Sequence, residues 1–413
     1  MKKIVTIIIC CFLLINAKAQ NFNDYFINKT LRVDYIFSGT ASQQNVSVEE
    51  LSQLSEWAGR RYHLAQLPLE GNGQISMNDI KTGACIYKTS FSTLFQEWLD
   101  TDEAKTLNRA FENTYLLPYP KQPVEITVSF RDKKGNYNPI LKHQVNPSDI
   151  LIKKLENTHV TPHTYLVKNG SPEDCIDVAI LAEGYTPGEM NLFLEDARKT
   201  CEALFAHQPF SAMKKRFNIV AVQSPSKDSG VSAPKNGIWK NTAFGSHFDS
   251  FYSDRYLTSS NLKDIHNSLA GIPYEHIIIL ANTDQYGGGG IYNSFTLTTA
   301  HHKFFRPVVV HEFGHSFAGL ADEYYYEEDL FNGIYPFDVE PWEQNITTKV
   351  DFASKWKDMV EQGTAKLVEG GGYSFKNIYR GAEDCRMKTN TCPGFCPVCQ
   401  RAITRLIDFY TRP

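Results

Sequence analysis

The sequence predicts two parts: a mainly β, sandwich-like N-terminal domain over residues 20–155 and an α/β domain over residues 175–413. Three observations support this prediction. A chain of 413 residues is long enough for two ordinary domains. Its first part contains apolar runs that alternate with polar residues, as half-buried strands do. After Cys175, short apolar runs alternate with patterns of helical period, which is typical of an α/β domain.

In the first part, strands are predicted at residues 31–37, 74–77 and 124–130. The last of these runs leads into Lys134-Gly135-Asn136, which predicts a hairpin turn followed by a return strand. One helix is expected over residues 90–101. Residues 156–174, with Pro162 and Pro172, are expected to form a linker.

In the second part, the same patterns predict further elements. Strands are expected at residues 176–181, 217–222 and 276–281. Helices are expected at residues 187–205, 257–269 and 398–410.

The most informative segment is His311-Glu312-Phe313-Gly314-His315. On a helix, positions i and i+4 lie on one face, so both imidazoles can bind one metal ion. Zinc favours such nitrogen ligands, and Glu312 is placed to act on a water molecule at the open position. The segment therefore indicates a zinc-dependent hydrolase, with peptidase as the favoured reaction.

The surrounding residues 304–320 are rich in apolar side chains and predict a largely buried helix. Pro307 suits its first position and Gly319 its end. The apolar face would consist of Val308, Val309, Phe313, Phe317 and Leu320. Since unpaired polar groups are costly in such a place, a metal accounts for the histidines better than an ordinary core does.

A third ligand is expected just after this helix. A turn at Gly319 lets the chain double back, which makes Asp322 the first candidate and Glu323 the second. If the helix continued, Glu327, Glu328 or Glu340 would be the candidates. Two histidines and one carboxylate form a known catalytic zinc set.

The chain resembles the IgA peptidase family of bacterial zinc metallopeptidases, a metzincin-like group. The similarity rests on residues 311–324, on Asp384-Cys385-Arg386-Met387 and on the segment 395–399. It implies a zincin-like (metzincin-like) fold for the second domain. Metzincins have a glycine and a third histidine at fixed spacing. Here the glycine is displaced by one residue, and Asp322, displaced equally, replaces the histidine.

The resemblance also implies that Met387 forms a turn beneath the metal, with a structural role. Tyr324, Tyr379 and His247 are candidates for stabilising the transition state. The resulting hypothesis is a zinc endopeptidase with Glu312 as general base and His311, His315 and Asp322 as ligands. Immunoglobulin A or other host glycoproteins are the implied substrates. The alternatives are a glycoprotein- or polysaccharide-binding protein with a non-catalytic zinc, and a cell-wall amidase.

The glycine run at residues 287–290 comes before a stretch with strand character, residues 291–299. Glycines let another backbone approach closely. An edge strand here could bind an extended peptide by strand addition. The alternative is a flexible turn before a core strand.

The first 19 residues predict a secretory leader. Lys2 and Lys3 precede an apolar run, and Ala17-Lys18-Ala19 suits cleavage. The mature product is therefore expected to be secreted, without a membrane anchor. The net charge of −4 gives no support for nucleic-acid binding.

Four of the remaining cysteines lie close together in sequence: Cys385, Cys392, Cys396 and Cys399. In an exported chain disulfides are the expected state, and a structural zinc site is the alternative. Cys175 and Cys201 could form another pair.

Overall fold

The computed structural model describes residues 20–155, 159–326 and 334–412 of the chain. Its first part consists mainly of strands, as predicted, with two short helices, α1 (Phe22–Tyr25) and α2 (Leu94–Leu99). The strands are β1 (Phe26–Gly39), β2 (Gln44–Leu54), β3 (Gly73–Asp79), β4 (Cys85–Phe91), β5 (Arg109–Pro120), β6 (Val124–Arg131), β7 (Tyr137–Val145) and β8 (Lys153–Lys154).

These strands form two four-stranded sheets, ordered β5-β1-β2-β8 and β4-β3-β6-β7. Aromatic rings from the two sheets meet between them. The ring of Phe37 on β1 lies 5.9 Å from that of Phe91 on β4 and 5.1 Å from that of Phe130 on β6. The mainly β character predicted for this part is thus confirmed. Helix α2 is shorter than predicted because residues 85–91 pair as β4 and Thr93 caps the helix.

The second part is mixed α/β. Its strands are β9 (His163–Val167), β10 (Ile176–Glu183), β11 (Phe217–Val222), β12 (His276–Ala281), β13 (Gly288–Ile291), β14 (Phe295–Thr299), β15 (Ile346–Thr347), β16 (Val368–Gly371) and β17 (Ser374–Arg380). Its helices are α3 (Met190–Phe205), α4 (Leu262–Ser268), α5 (Phe305–Ala318), α6 (Lys357–Glu361) and α7 (Pro397–Thr411).

The main sheet of this part has six strands in the order β13-β14-β12-β10-β11-β9. Strands β14, β12, β10 and β11 are parallel, and the two edge strands β13 and β9 are antiparallel to their neighbours. The parallel strands are buried along nearly their whole length, as expected where both faces of a sheet are covered.

Three predictions need correction. The linker expected over residues 156–174 contains β9, which pairs with β11 and so belongs to the main sheet. The helix expected over 257–269 begins only at Leu262. The expected strand over 291–299 is interrupted by a tight turn. Ile291 ends β13, and β14 begins at Phe295 and pairs with β13 as a hairpin. The predicted leader, residues 1–19, lies outside the described residues.

The two parts share one core. A single cluster of buried apolar side chains runs from the N-terminal sheets to the main sheet, for example from Phe37 to Leu181 and Leu297. Polar contacts cross the same boundary, such as the bond from the Trp342 indole to Asn72. In the part of the chain that the structure describes, no helix has the length and apolar character needed to cross a membrane.

Candidate active site

The histidine helix, α5, starts two residues before Pro307 and ends at Gly319, which adopts the left-handed conformation with φ of 54°. Pro307 is tolerated because the first-turn N–H groups of a helix have no intrahelical partner. The predicted apolar face is buried in full; its members are Val308, Val309, Phe313, Phe317 and Leu320. The helix lies against β13, β14 and α3, and four of these side chains (Val309, Phe313, Phe317 and Leu320) belong to a buried cluster that includes residues of α3 and β10.

The two histidines of α5 face each other, with 3.0 Å between the Nε2 atoms of His311 and His315. Each ring is oriented by a backbone carbonyl. Nδ1 of His311 donates to the carbonyl of Arg386 at 3.0 Å, and Nδ1 of His315 donates to that of Leu320 at 2.5 Å. Because Nδ1 makes this bond, the loss of the second ring proton leaves each Nε2 with a lone pair, which is the arrangement that metal ligands require.

Asp322 completes a triangle of ligand atoms. Its Oδ1 lies 3.1 Å from Nε2 of His311 and 3.3 Å from Nε2 of His315. Ligands at about 2.0–2.1 Å from a tetrahedral zinc are separated by about 3.3 Å. The three atoms are therefore spaced as zinc ligands would be.

The surroundings of Asp322 support the same interpretation. Its Oδ1 is buried and has no hydrogen-bond partner among the described residues, whereas Oδ2 accepts a hydrogen bond from the hydroxyl of Tyr373. Burial alone would raise the pKa of this carboxyl, but the adjacent His315 and His311 hold its pKa well below the usual range. An ionised carboxylate whose buried Oδ1 faces two histidine nitrogens, with no hydrogen bond of its own, fits a metal ion.

Glu312 lies beside the ligand atoms. Its carboxylate is within 4.8 Å of the ligand nitrogens of both histidines. The Oδ1 atom of Asp322 is closer to them, at 3.1 and 3.3 Å. Burial raises the pKa of Glu312, and the charges of His311 and His315 oppose that effect. A glutamate beside these candidate ligand atoms with a raised pKa suits a group that must accept and return a proton.

The other carboxylates considered for the third ligand lie elsewhere. Glu323 is fully buried but turns to the opposite side, where Asn345 and Cys399 contact its Oε1. Glu340 accepts from the hydroxyl of Thr348. Glu327 and Glu328 lie outside the described residues.

The glycines of β13 let this strand approach the helix. A Cβ at Gly288 would lie 2.9 Å from Oε1 of Glu312, and one at Gly290 would lie 2.2 Å from the Glu312 carbonyl oxygen. Both distances are shorter than real side chains allow. Gly290 is thus required by the close approach of the edge strand to the active-site helix, and Gly288 faces the Glu312 side chain.

We expect Gly290→Ala to destabilise the protein by about 1–3 kcal/mol, the usual cost of overpacking, and to lower hydrolysis. Denaturant unfolding and a peptidase assay would measure both effects. Gly188→Ala is the control because a Cβ there meets no atom within 4 Å. Equal stability and activity of the two variants would contradict the close-approach argument.

Met387 lies beneath the helix, as the resemblance implied. It is fully buried, and a Cβ at Gly314 would lie 2.7 Å from its Sδ. Its carbonyl accepts from the backbone N–H of Glu323 at 2.8 Å. The turn that contains Met387 therefore supports both the helix and the segment that carries Asp322.

Two residues near the site, Tyr373 and Arg255, lie far from the histidine motif in sequence and could not be predicted from it. Tyr373 reaches Asp322 from the turn between β16 and β17, and Arg255 is a cation close enough to act on the Glu312 carboxyl. Of the tyrosines considered from sequence, Tyr324 lies near the site, with its ring 5.3 Å from that of Tyr373. Tyr379 donates instead to Glu369, and Nδ1 of His247 donates to the carbonyl of Phe248.

Tyr373→Phe should weaken metal binding by about 10–100-fold, since it removes the hydroxyl that orients Asp322. A zinc titration in competition with a chelator would measure the change. Tyr379→Phe, which removes a hydroxyl bonded to Glu369, is the matched control. An unchanged affinity in Tyr373→Phe would rule out this orienting role.

The predicted disulfides are not formed in the structure. All seven described cysteines are free thiols, including Cys175 and Cys201. The sulfurs of Cys385 and Cys399 are 3.7 Å apart, well beyond the bond length of about 2.05 Å.

The site combines a histidine pair with adjacent carboxylates on and beside a buried helix. This combination is typical of metal-dependent hydrolases. Two protein-family models match the chain. The model described as IgA Peptidase M64 matches residues 164–367, and the model described as Peptidase M64 N-terminus matches residues 21–142. None of the curated proteins matches this sequence. The chain belongs to the IgA peptidase M64 family, and the family identifies it as a peptidase.

Proposed function

We propose that the chain is a zinc-dependent endopeptidase with a zincin-like catalytic domain. The observation that carries this proposal is the triangle formed by Nε2 of His311, Nε2 of His315 and Oδ1 of Asp322, with edges of 3.0–3.3 Å. Two imidazole nitrogens and one carboxylate oxygen in this arrangement fit zinc, which takes three protein ligands in catalytic sites.

When bound, zinc supplies a Lewis acid that acidifies water and stabilises the developing negative charge. Glu312 is the chain's own proton carrier. Its carboxylate accepts the proton of the attacking water and returns it to the nitrogen of the leaving amine. Arg255 and Tyr324 lie near enough to interact with Glu312 electrostatically and are candidates for stabilising the transition state.

The edge strand β13 is the proposed place for an extended substrate. On the side of β13 that faces away from β14, the backbone of Gly288 already makes two hydrogen bonds. It donates to the carbonyl of Arg255 and accepts from the N–H of Leu257. A peptide added as a further strand would therefore pair beyond Gly288, next to Glu312. The glycines keep this strand free of side chains that would block the approach.

For the substrate, we propose extracellular proteins, with immunoglobulin A and other host glycoproteins as candidates. This follows from the family and from the predicted leader over residues 1–19, which would place the enzyme outside the cytoplasm. The alternative of a non-catalytic binding protein does not account for Glu312, since a purely structural zinc site needs no general base.

The test is digestion of casein and immunoglobulin A by the full chain, before and after metal removal with a chelator. Mass spectrometry would map the cleaved bonds. We expect internal peptide bonds to be cut, activity to disappear with the metal, and zinc to restore it. Cleavage that persists in the metal-free protein would refute the proposal.

A further inference from the structure

A second group of metal-binding side chains lies behind the active-site helix. It consists of Glu323, Cys385, Cys396 and Cys399, and we call it the cysteine cluster. One ligand atom from each residue lies within 4.8 Å of the others. All four side chains are buried, with exposed fractions of 5% or less.

The spacing in the cysteine cluster matches ligands around one ion. The sulfurs of Cys385 and Cys399 are 3.7 Å apart. Two sulfurs at about 2.3 Å from a tetrahedral zinc would be separated by about 3.8 Å. Oε1 of Glu323 lies 3.1 Å from Sγ of Cys399 and 3.9 Å from Sγ of Cys396, so it occupies the fourth corner.

A buried carboxylate oxygen points to the same conclusion. Asn345 donates to Oε1 of Glu323 at 3.0 Å, but Oε2 has no hydrogen-bond partner in the part of the chain that the structure describes. A buried carboxylate with one oxygen unpaired is costly unless it is paired with a cation or coordinates a metal. Asn345, Cys396 and Cys399 contact Oε1 of Glu323, and none of these side chains is a cation.

We propose that the cysteine cluster binds a second zinc ion with a structural role. Thiolate ligands select soft or borderline metals, and zinc accepts both sulfur and carboxylate oxygen. Four protein ligands leave no open position, which is the arrangement of a structural site. The thiols would lose their protons to solvent as the metal binds.

This second ion would hold together three parts of the active site. Glu323 follows the proposed ligand Asp322, and Cys385 stands two residues before Met387. Cys396 and Cys399 lie at the start of α7. The backbone just after Cys385 already contacts the segments of the proposed active site. The carbonyl of Arg386 accepts from His311, and the carbonyl of Met387 accepts from the N–H of Glu323. The proposal does not depend on hydrolysis and can hold if the proposed function fails.

The test is the zinc content of the purified full chain, combined with zinc X-ray absorption spectroscopy. We expect two zinc ions per chain and a zinc–sulfur distance of about 2.3 Å. The variant His311→Ala/His315→Ala should keep one zinc, bound by sulfur. Cys399→Ser should lose one zinc, whereas Cys392→Ser should keep both, because Cys392 lies outside the cluster.

The wild-type spectrum decides the matter even if a variant fails to fold. Absence of zinc–sulfur scattering from wild-type protein purified with zinc would overturn the proposal. So would a disulfide between any two of the three cluster cysteines, detected by peptide mapping without reductant. A sulfur-bound zinc that persists in an inactive protein would support the second site and count only against the proposed function.

Discussion

Replacing Glu312 by alanine is expected to remove nearly all peptide hydrolysis while the protein keeps its metal. Glu312 lies within 4.8 Å of the ligand nitrogens of both histidines but outside the tighter triangle that they form with Asp322, and general acid–base groups contribute about 10²–10⁴-fold to rate. We therefore expect kcat to fall by about that factor, with zinc content equal to that of wild type. Steady-state kinetics on a peptide substrate and metal analysis would measure the two quantities.

The matched control is Glu195→Gln, a change on the exposed face of α3. It should leave both kcat and zinc content unchanged. Activity of Glu312→Ala near the wild-type level would show that another group accepts the proton. Loss of zinc together with activity would instead make Glu312 a ligand and weaken the assignment of Asp322.

Asp322→Ala should cause the largest loss of metal at the active site. The substitution removes the only carboxylate oxygen that lies within 3.3 Å of both histidine Nε2 atoms among the described residues. Loss of an outer partner costs about 10–100-fold in affinity, and loss of a ligand should exceed that. Zinc titration in competition with a chelator, followed by a peptidase assay, would measure it.

Asp338→Ala, at an exposed position, is the control for this variant and should bind zinc as wild type does. If Asp322→Ala kept full affinity, the third ligand would have to be another group. Because the cysteine cluster is proposed to hold its own ion, zinc bound by sulfur must be counted separately in this experiment.

The local features of the site could be predicted because they depend on neighbouring residues. A helix places His311 and His315 on one face whatever surrounds it, and Gly319 ends that helix in the left-handed conformation. The apolar face of α5 and the bounds of β11 and β12 follow equally from residue pattern. Strand pairing is not local, which is why the sequence predicts a linker in the segment that contains β9.

The choice between Asp322 and Glu323 could not be made from sequence. The segment after Gly319 is not helical, and its two carboxylates point to opposite sides. Asp322 faces the histidines and Glu323 faces the cysteines. The fold decides which group of side chains each carboxylate faces, through the turn of Met387 and the position of α7.

Tyr373 and Arg255 were missed because nothing in their spacing connects them to the motif. Tyr373 comes from the turn after β16, and Arg255 from a loop before α4. The predicted disulfides differ from the structure for another reason. The expectation of disulfides rested on the predicted export of the chain, whereas the structure spaces three sulfurs and a carboxylate as ligands.

Anomalous diffraction at the zinc edge, on crystals of the full chain, tests the central claim most directly. We predict a peak within about 2.0–2.2 Å of Nε2 of His311, Nε2 of His315 and Oδ1 of Asp322. Absence of that peak in zinc-loaded crystals would contradict the metal centre proposed here. A peak at the histidines without Asp322 among its ligands would contradict the third ligand.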